Sequence, residues 1–309
     1  MALVLAMALA MVLAVAQEVE GQLMVGFYGE TCPQAEPIIR NVVREAILSD
    51  TNMAPVLLRL HFHDCFVEGC DGSILIENGP SGERHAFGHQ GAGGPTYEVP
   101  TGRRDGVVSN MSLADDMPDV SNSIQQLKVK FMRKGLTEKD LVLLSGTLSL
   151  SLSLSLSLSL SLSHASGGDA AHTIGTTACF FLTKRLYNFF PGGGSDPAIN
   201  PTLLVELKQK CPQNGDVNVR LPTDQGSGQA FDLHILQNIR NGFAVLESDA
   251  KLNEDAVTRG IMDNYFGFFS NLPFGPSFEA DFVEAILKMG QIGVKTGFQG
   301  APRRVCASF

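Results

Sequence analysis

The reactive side chains of this sequence are concentrated in residues 57–76. On a helix, Arg59 and His63 lie four positions apart and therefore project from the same face. A guanidinium that stays charged beside an imidazole that accepts and donates a proton suits the splitting of a polar bond. The pair is therefore a candidate catalytic site.

Hard oxygen donors follow this pair directly. Asp64, Asp71 and Ser73 can ligate a cation, while Gly69 and Gly72 allow the chain to turn tightly around it. This composition is typical of a calcium loop.

Each of these features also has a simpler explanation. A pair such as Arg59 and His63 is usually part of a solvated face, and aspartates near glycines usually form turns. In a reducing compartment, His61, His63, Cys65 and Cys70 would suit a zinc site instead. The segment alone leaves these alternatives open.

The hydrophobic pattern predicts a mainly α-helical chain that positions these groups. The second helix, at 54–65, should carry Arg59 and His63, with Leu57, Leu58 and Leu60 packing behind them. The helix before it, ending near Leu48, has an apolar stripe expected in the core, formed by Ile38, Ile39, Val42, Val43 and Ile47. Its start should be capped by a box at 31–34. Further helices are expected near 121–135, 141–145, 179–187, 200–211, 231–245 (ending near 248–249), 256–269 and 278–289.

Composition limits the partners and the compartment. With 23 basic and 32 acidic residues, the net charge of -9 argues against nucleic acid. The apolar run 1–16 fits a signal peptide, whose end could lie as late as residue 21, so we expect a secreted chain without a later membrane span. Cysteines in such a chain are expected in disulfides, and Asn110 begins a glycosylation sequon.

Eight consecutive Leu-Ser pairs occupy residues 148–163. Strict alternation is a strand pattern prone to aggregation, but a CT dinucleotide repeat read in frame encodes the same pattern. We interpret 147–166 as translated non-coding sequence that interrupts a single domain, 17–309.

These segments together resemble one family. Residues 57–76 are similar, almost letter for letter, to the distal segment of the plant secretory haem peroxidases (class III). Residues 93–106 and 171–179 resemble two further segments of that family, and the resemblance covers most of 26–308. It implies a mainly α fold in which two helical halves sandwich one haem b, and a monomer.

The resemblance implies a role for each matching residue. His172 would ligate the haem iron, and Asp249 would accept the other ring N–H. His63 would take a proton from hydrogen peroxide and return it to the departing oxygen, while Arg59 stabilises the developing charge. Pro118 matches a proline that borders the site of the phenolic donor.

Two calcium ions and two disulfides are implied in the same way. The first calcium would be held by Asp64, Val67, Gly69, Asp71 and Ser73. The second would be held by Thr173, Asp224, Ser227, Ala230 and Asp232, with Ser227 where the family usually has Thr. The disulfides would be Cys65–Cys70 and Cys179–Cys211.

The sequence departs from the family pattern around one region. His89 stands where the family has an Asn, reached from Glu83, that hydrogen-bonds the distal histidine. A few dozen residues, with two helices and two cysteines, are missing between His89 and Gly93. Cys32 and Cys306 thereby lose their partners and would pair with each other or stay free.

The matching site residues favour an active enzyme, whereas the missing segment favours a chain without activity. The prediction is a secreted peroxidase of the cell wall or vacuole, which reduces hydrogen peroxide and oxidises small phenolic donors in lignin or suberin formation or the oxidative stress response. The alternative is a defective or mis-spliced paralogue without activity. A zinc module at residues 61–70 is a third hypothesis.

Overall fold

The computed structural model describes residues 23–50, 53–76, 97–145, 172–268, 270, 272 and 274–308. The expected signal peptide, the Leu-Ser repeat, and the residues Glu83 and His89 lie outside this part of the chain. None of the helices within it is long and apolar enough to cross a membrane.

Helices dominate the described residues, which confirms the predicted mainly α class. In chain order they are α1 (Ala35–Ser49), α2 (Met53–Glu68), α3 (Ile124–Arg133), α4 (Glu138–Ser145), α5 (Thr183–Tyr187), α6 (Pro201–Lys210), α7 (His234–Arg240), α8 (Glu247–Glu254), α9 (Ala256–Asp263) and α10 (Phe278–Met289). The strands β1 (Thr176–Ala178) and β2 (Arg220–Pro222) pair antiparallel, with Thr177 opposite Leu221.

Local sequence sets several helix starts. The Ser123 side chain accepts a hydrogen bond from the backbone N–H of Gln126, whose own side chain closes a capping box at the start of α3. Asn200 caps α6 immediately before a proline, which needs no hydrogen-bond partner at that position. Thr137 and Asp140 bond each other's backbone N–H groups and so fix the start of α4.

The larger hydrophobic core surrounds α4. All four residues from Leu141 to Leu144 are fully buried, as expected for a helix covered on every side. Phe62 and Phe66 of α2 pack into this core, with Phe66 against Phe131 of α3 at 5.3 Å between ring centroids. This packing fixes the helix that carries Arg59 and His63.

A smaller core joins α5, α6 and the chain that precedes α8. The Cys179–Cys211 disulfide lies in it beside Leu182, Leu186 and Leu203. Val245 and Leu246 complete this core, and both are fully buried. The smaller core therefore holds the entry to α8, which carries Asp249.

The first helix forms as predicted, but its apolar stripe is not in the core. Ile38, Ile39 and Val42 are 57%, 60% and 59% exposed, and α1 buries none of its residues. Periodicity identifies an apolar face, whereas burial also requires a second element to cover that face. The predicted capping box is also wrong, since α1 begins after Gln34 without a side-chain cap.

Two smaller corrections concern helix packing and limits. Residues 57, 58 and 60 are only partly buried, so the side of α2 behind the reactive pair is less covered than predicted. The predicted helix 231–245 is only α7, because Gly242 with φ +76° turns the chain out of the helix. Asp249 therefore lies in the first turn of α8 and not at the end of α7.

Candidate active site

A buried histidine and aspartate meet behind β1. His172 lies in a turn just before β1, and its Nδ1 is 2.6 Å from both carboxylate oxygens of Asp249. Both side chains are 0% exposed. Asp249 is in the first turn of α8, where the helix N-terminus favours a negative charge.

The other ring nitrogen of His172 is an orphan. Its Nε2 is buried and has no hydrogen-bond partner in the described part of the chain. When Nδ1 donates its proton to Asp249, Nε2 carries the free lone pair, which is the arrangement of a metal-ligating histidine. These residues therefore fit a site in which Nε2 of His172 would ligate haem iron.

A buried ion pair positions Asp249 from behind, and sequence reasoning missed it. Arg185 of α5 donates from Nε to Asp196 at 2.6 Å, and both side chains are nearly inaccessible. Its Nη1 donates to the carbonyls of Val245 and Leu246 at 2.7 and 3.1 Å. The guanidinium therefore fixes the residues just before α8. No local motif marks Arg185, since its partners are distant in sequence.

The predicted catalytic pair is buried on α2. Arg59 is 1% exposed and His63 is 4% exposed, so the solvated-face alternative is wrong. The ring of His63 meets Phe62 edge-on at 6.1 Å between centroids. Burial lowers the local dielectric, and a guanidinium therefore stabilises a developing negative charge more strongly than it would in water.

The 64–73 loop comprises the five residues of the first predicted ligand set, namely Asp64, Val67, Gly69, Asp71 and Ser73. Asp64 accepts from the N–H of Gly72, and Asp71 accepts from the N–H of Ser73, each at 3.0 Å. A Cβ at Gly69 would lie 2.5 Å from the carbonyl oxygen of Ile292, so the loop packs directly against the segment after α10.

Lysine ammonium groups contact this loop from two sides. Lys295 lies 2.6 Å from Oδ2 of Asp71 and donates to the carbonyl of Glu68 at 2.8 Å. Lys134 donates to the carbonyl of Val67 at 2.6 Å. Two of the groups expected to ligate calcium are thus already engaged by positive charge, which the sequence did not reveal.

The cysteines of this region form a disulfide. Cys65 and Cys70 are bonded to each other, as the resemblance implied. His61 lies 3.4 Å from the sulfur of Cys65, and burial together with Arg103 lowers the pKa of His61 to about 4. His61, Cys65 and Cys70 come together, but His63 does not join them. Bonded sulfurs offer no thiolate, so the structure argues against the zinc hypothesis.

The 173–232 cluster comprises the second predicted ligand set, namely Thr173, Asp224, Ser227, Ala230 and Asp232. The Thr173 hydroxyl donates to the carbonyl of Asp232 at 2.7 Å and lies 3.4 Å from that of Ala230. Ser227 donates to the carboxylate of Asp232 at 2.5 Å. The five residues, separated by up to 59 positions in sequence, therefore lie together around one turn.

Asp224 is the group of this cluster that most requires a cation. One carboxylate oxygen accepts from Asn238 at 2.5 Å and lies 3.1 Å from Nδ1 of His234. The other is buried without a hydrogen-bond partner in the described residues. Burial raises the pKa of Asp224 to about 6, although both neighbours oppose that rise. His234 and Asn238, four apart on α7, were not predicted.

The remaining predicted residues are placed more simply. Pro118 is buried after a short 3₁₀ helix, Met111–Asp116. Asn110, which begins the sequon, is exposed. Cys179 and Cys211 are bonded, as implied by the resemblance. Cys32 and Cys306 are both free and exposed, which answers the question of whether they pair with each other.

Comparison with known proteins identifies the family. A family model described as Peroxidase matches residues 39–91 and 84–267. Peroxidase 43 of Arabidopsis thaliana is 55% identical over 325 positions, which cover 93% of this chain and 92% of that protein. Peroxidase 13 of Arabidopsis thaliana is 44% identical with the same coverage. Peroxidase N1 of Nicotiana tabacum is 39% identical over 92% of this chain and 89% of that protein.

The alignment lengths also bear on the missing segment. Since 93% of the 309 residues is about 287, about 38 of the 325 positions aligned with Peroxidase 43 have no counterpart in this chain. The two family-model matches meet at residues 84–91, next to the predicted gap. Matches of this extent and identity confirm the resemblance: the chain belongs to the peroxidase family and is a plant haem peroxidase.

Proposed function

We propose that this chain binds one haem b through His172 and uses it to reduce hydrogen peroxide and oxidise small phenolic donors in one-electron steps. The observation that carries the proposal is the buried pair of His172 and Asp249, in which Nδ1 is held at 2.6 Å while Nε2 has no partner among the described residues. Bound haem supplies an iron centre that changes oxidation state and accepts the oxidising equivalents of peroxide.

Asp249 acts on the ligating histidine. Its carboxylate holds the proton at Nδ1 and thereby raises the electron density at Nε2. A stronger donor at that position favours higher oxidation states of the metal that it ligates. Arg185 keeps Asp249 in register by holding the carbonyls of Val245 and Leu246.

His63 and Arg59 act on hydrogen peroxide. His63 takes a proton from one oxygen and donates it to the other, which then leaves as water. Arg59 stabilises the negative charge that develops as the O–O bond breaks. Glu83 and His89 are proposed to set the basicity of His63, and Pro118 to border the position of the phenolic donor.

A calcium ion is proposed at the 173–232 cluster. Hydroxyl, carbonyl and carboxylate oxygens are the ligands that calcium prefers. The buried oxygen of Asp224 without a hydrogen-bond partner is the specific observation in favour of a cation there. The family resemblance implies a second ion at the 64–73 loop.

The setting of the enzyme is also part of the proposal. Residues 1–16 would direct secretion to the cell wall or vacuole, 17–309 would form one domain, and 147–166 would be no part of its working structure. The exposed Asn110 suits glycosylation. Phenol oxidation in lignin or suberin formation or the oxidative stress response is the proposed use, by a monomer.

The test uses the full chain refolded with haem and calcium under oxidising conditions. We expect a Soret band that shifts on addition of peroxide and recovers with guaiacol. His172→Ala should lose the bound haem. His63→Leu should keep haem but react with peroxide about 10²–10⁴-fold more slowly. His61→Gln is the control, and it should bind haem and react with peroxide as the wild type does. A wild-type chain that retains no haem would support the defective alternative instead.

A further inference from the structure

Arg303 carries more hydrogen-bond donors than the described residues satisfy, and it lines a cavity near the end of the chain. We propose that this cavity binds a small carboxylic acid with an apolar body, held by the charge of Arg303. The cavity contains none of the residues proposed to act on haem or on hydrogen peroxide. The inference therefore goes beyond the proposed peroxidase activity and does not depend on it.

The guanidinium of Arg303 is buried but only partly engaged. Its side chain is 4% exposed. Nη2 donates to the carbonyl of Gly72 and lies 3.8 Å from Oδ1 of Asp105. Nε and Nη1 are buried and have no hydrogen-bond partner in the described part of the chain. A buried donor costs free energy unless an acceptor replaces the water that it has lost, so these two nitrogens favour a bound anion.

Backbone contacts hold Arg303 at this position. The backbones of Asp105 and Ala301 exchange two hydrogen bonds at 3.1 and 3.0 Å. The N–H of Arg303 donates to the carboxylate of Asp105 at 2.7 Å. A Cβ at Gly72 would lie 2.6 Å from Nη2 of Arg303, so the guanidinium packs directly against the backbone there. The donors are therefore in place before a ligand binds, which lowers the entropic cost of binding.

The cavity beside Arg303 has the size of a small-molecule site. Its volume is about 280 Å³. Pockets that hold drug-sized ligands have volumes of about 300–1,000 Å³, so this one suits a smaller molecule. Arg304 and Ser308 also line it, and both are exposed. They supply a second guanidinium and a hydroxyl at the side from which a ligand would enter.

Positive charge exceeds negative charge at the cavity. Arg303 and Arg304 contribute two positive charges, and none of the described residues that line the cavity is acidic. The carboxylate of Asp105 lies close by, but it already accepts from the N–H of Arg303. Although the whole chain has a net charge of -9, the local charge at this cavity therefore favours an anion.

Apolar side chains define the rest of the ligand. Val107 and Val305 line the cavity and are 53% and 58% exposed, and Pro302 lines it with them. A ligand that covers these side chains removes apolar surface from water, which favours binding. An inorganic anion such as phosphate could contact the arginines but would leave the valines uncovered. The two features together favour a carboxylic acid that carries a ring or a short hydrocarbon chain.

The experiment titrates the refolded, haem-loaded chain with benzoate by isothermal titration calorimetry. We expect one benzoate to bind per chain without a shift of the Soret band. Benzamide has a similar shape but no charge, and it should bind at least about tenfold more weakly, because hydrogen bonds to charged groups are the stronger ones. Inorganic phosphate has the charge but no apolar body, and it should also bind more weakly than benzoate.

Val305→Asp tests the position of the site. Val305 is exposed, so the variant should fold, and its carboxylate should repel benzoate and weaken binding at least about tenfold. Val257→Asp is the matched control, because Val257 on α9 is 49% exposed and does not line the cavity. It should bind benzoate as the wild type does. Arg303→Lys keeps the charge but loses the planar set of donors, and it should weaken binding about tenfold.

Four results would each overturn the proposal. They are no binding of benzoate to the wild type, equal binding of benzamide, binding of phosphate as tight as that of benzoate, and unchanged affinity in Val305→Asp. The last result, together with a shifted Soret band, would place benzoate at the haem instead. The heat of binding is measured without turnover, so a failed peroxidase assay does not affect the result.

Discussion

Buried polar groups are satisfied in opposite ways around α7 and α8 and in the loop at the end of α2. Around α7 and α8, two buried acceptor atoms, Oδ2 of Asp224 and Nε2 of His172, have no donor in the described residues. Around the 64–73 loop, the buried carboxylate of Asp71 is matched by a lysine and a backbone N–H. A buried polar group without a partner costs free energy, so Nε2 of His172 and Oδ2 of Asp224 require ligands, whereas the carboxylate of Asp71 does not.

Removing Arg185, which holds the residues before α8, should have the largest effect on stability. Arg185→Met leaves Asp196 buried without its partner and frees the carbonyls of Val245 and Leu246. Removing one partner of a buried ion pair costs about 3–5 kcal/mol. We expect a loss of this size in the free energy of unfolding, measured by urea unfolding of the refolded chain.

The matched control for this prediction is a surface pair. Arg240 and Asp263 lie 2.6 Å apart, but their side chains are 29% and 50% exposed. Arg240→Met should cost about 1 kcal/mol or less. Equal losses in the two variants would contradict the idea that burial makes Arg185 important.

His61, which lies beside the 64–73 loop, should make the free energy of unfolding depend on pH by up to about 3 kcal/mol. The pKa of His61 is lowered from 6.5 to about 4 by burial and by Arg103. Between these values the unfolded chain binds a proton that the folded chain refuses, so stability falls as the pH falls from 6.5 towards 4. The measurement is the pH dependence of urea unfolding, compared with His61→Gln.

Because acidic groups also titrate in this window, the difference between the two proteins is the relevant quantity. His61→Gln should lose less stability than the wild type between pH 6.5 and 4. Parallel curves would show that His61 remains accessible to protons in the folded chain.

Asp249→Asn should weaken haem binding about 10–100-fold, as the loss of such a partner commonly does at metal sites. Asparagine can still accept the hydrogen bond from Nδ1 of His172, but it brings no charge. The reduction potential of the bound haem should therefore rise as well. Asp263→Asn is the control, and an unchanged potential in Asp249→Asn would show that geometry alone matters.

Sequence could predict much of the site because its residues lie in recognisable segments. Resemblance brought His172 and Asp249 together although 77 positions separate them. Periodicity found α1 but not the exposure of Ile38 and Val42, since that depends on which element covers the face. The contact of Lys295 with Asp71 could not be predicted for the same reason. A lysine carries no local sign that it will meet a carboxylate 224 positions away.

The smallest effect should come from Lys295→Met, and its size should depend on calcium. In chelator, the variant leaves Asp71 with one backbone donor, and the loss of stability should be about 1–2 kcal/mol. Added calcium should restore that loss by binding the exposed ligand set, in proportion to the logarithm of its concentration above the dissociation constant.

Lys139→Met, which removes a lysine from an ion pair with Asp281 at 2.8 Å, separates the two explanations. Its partner, Asp281, keeps a hydrogen bond from Tyr265 at 2.7 Å and lies outside the loop. Its stability should change by the same amount with and without calcium, relative to the wild type. If calcium rescues both variants equally, the rescue comes from the 173–232 cluster. Removing Lys295 would then not have made the 64–73 loop available to calcium.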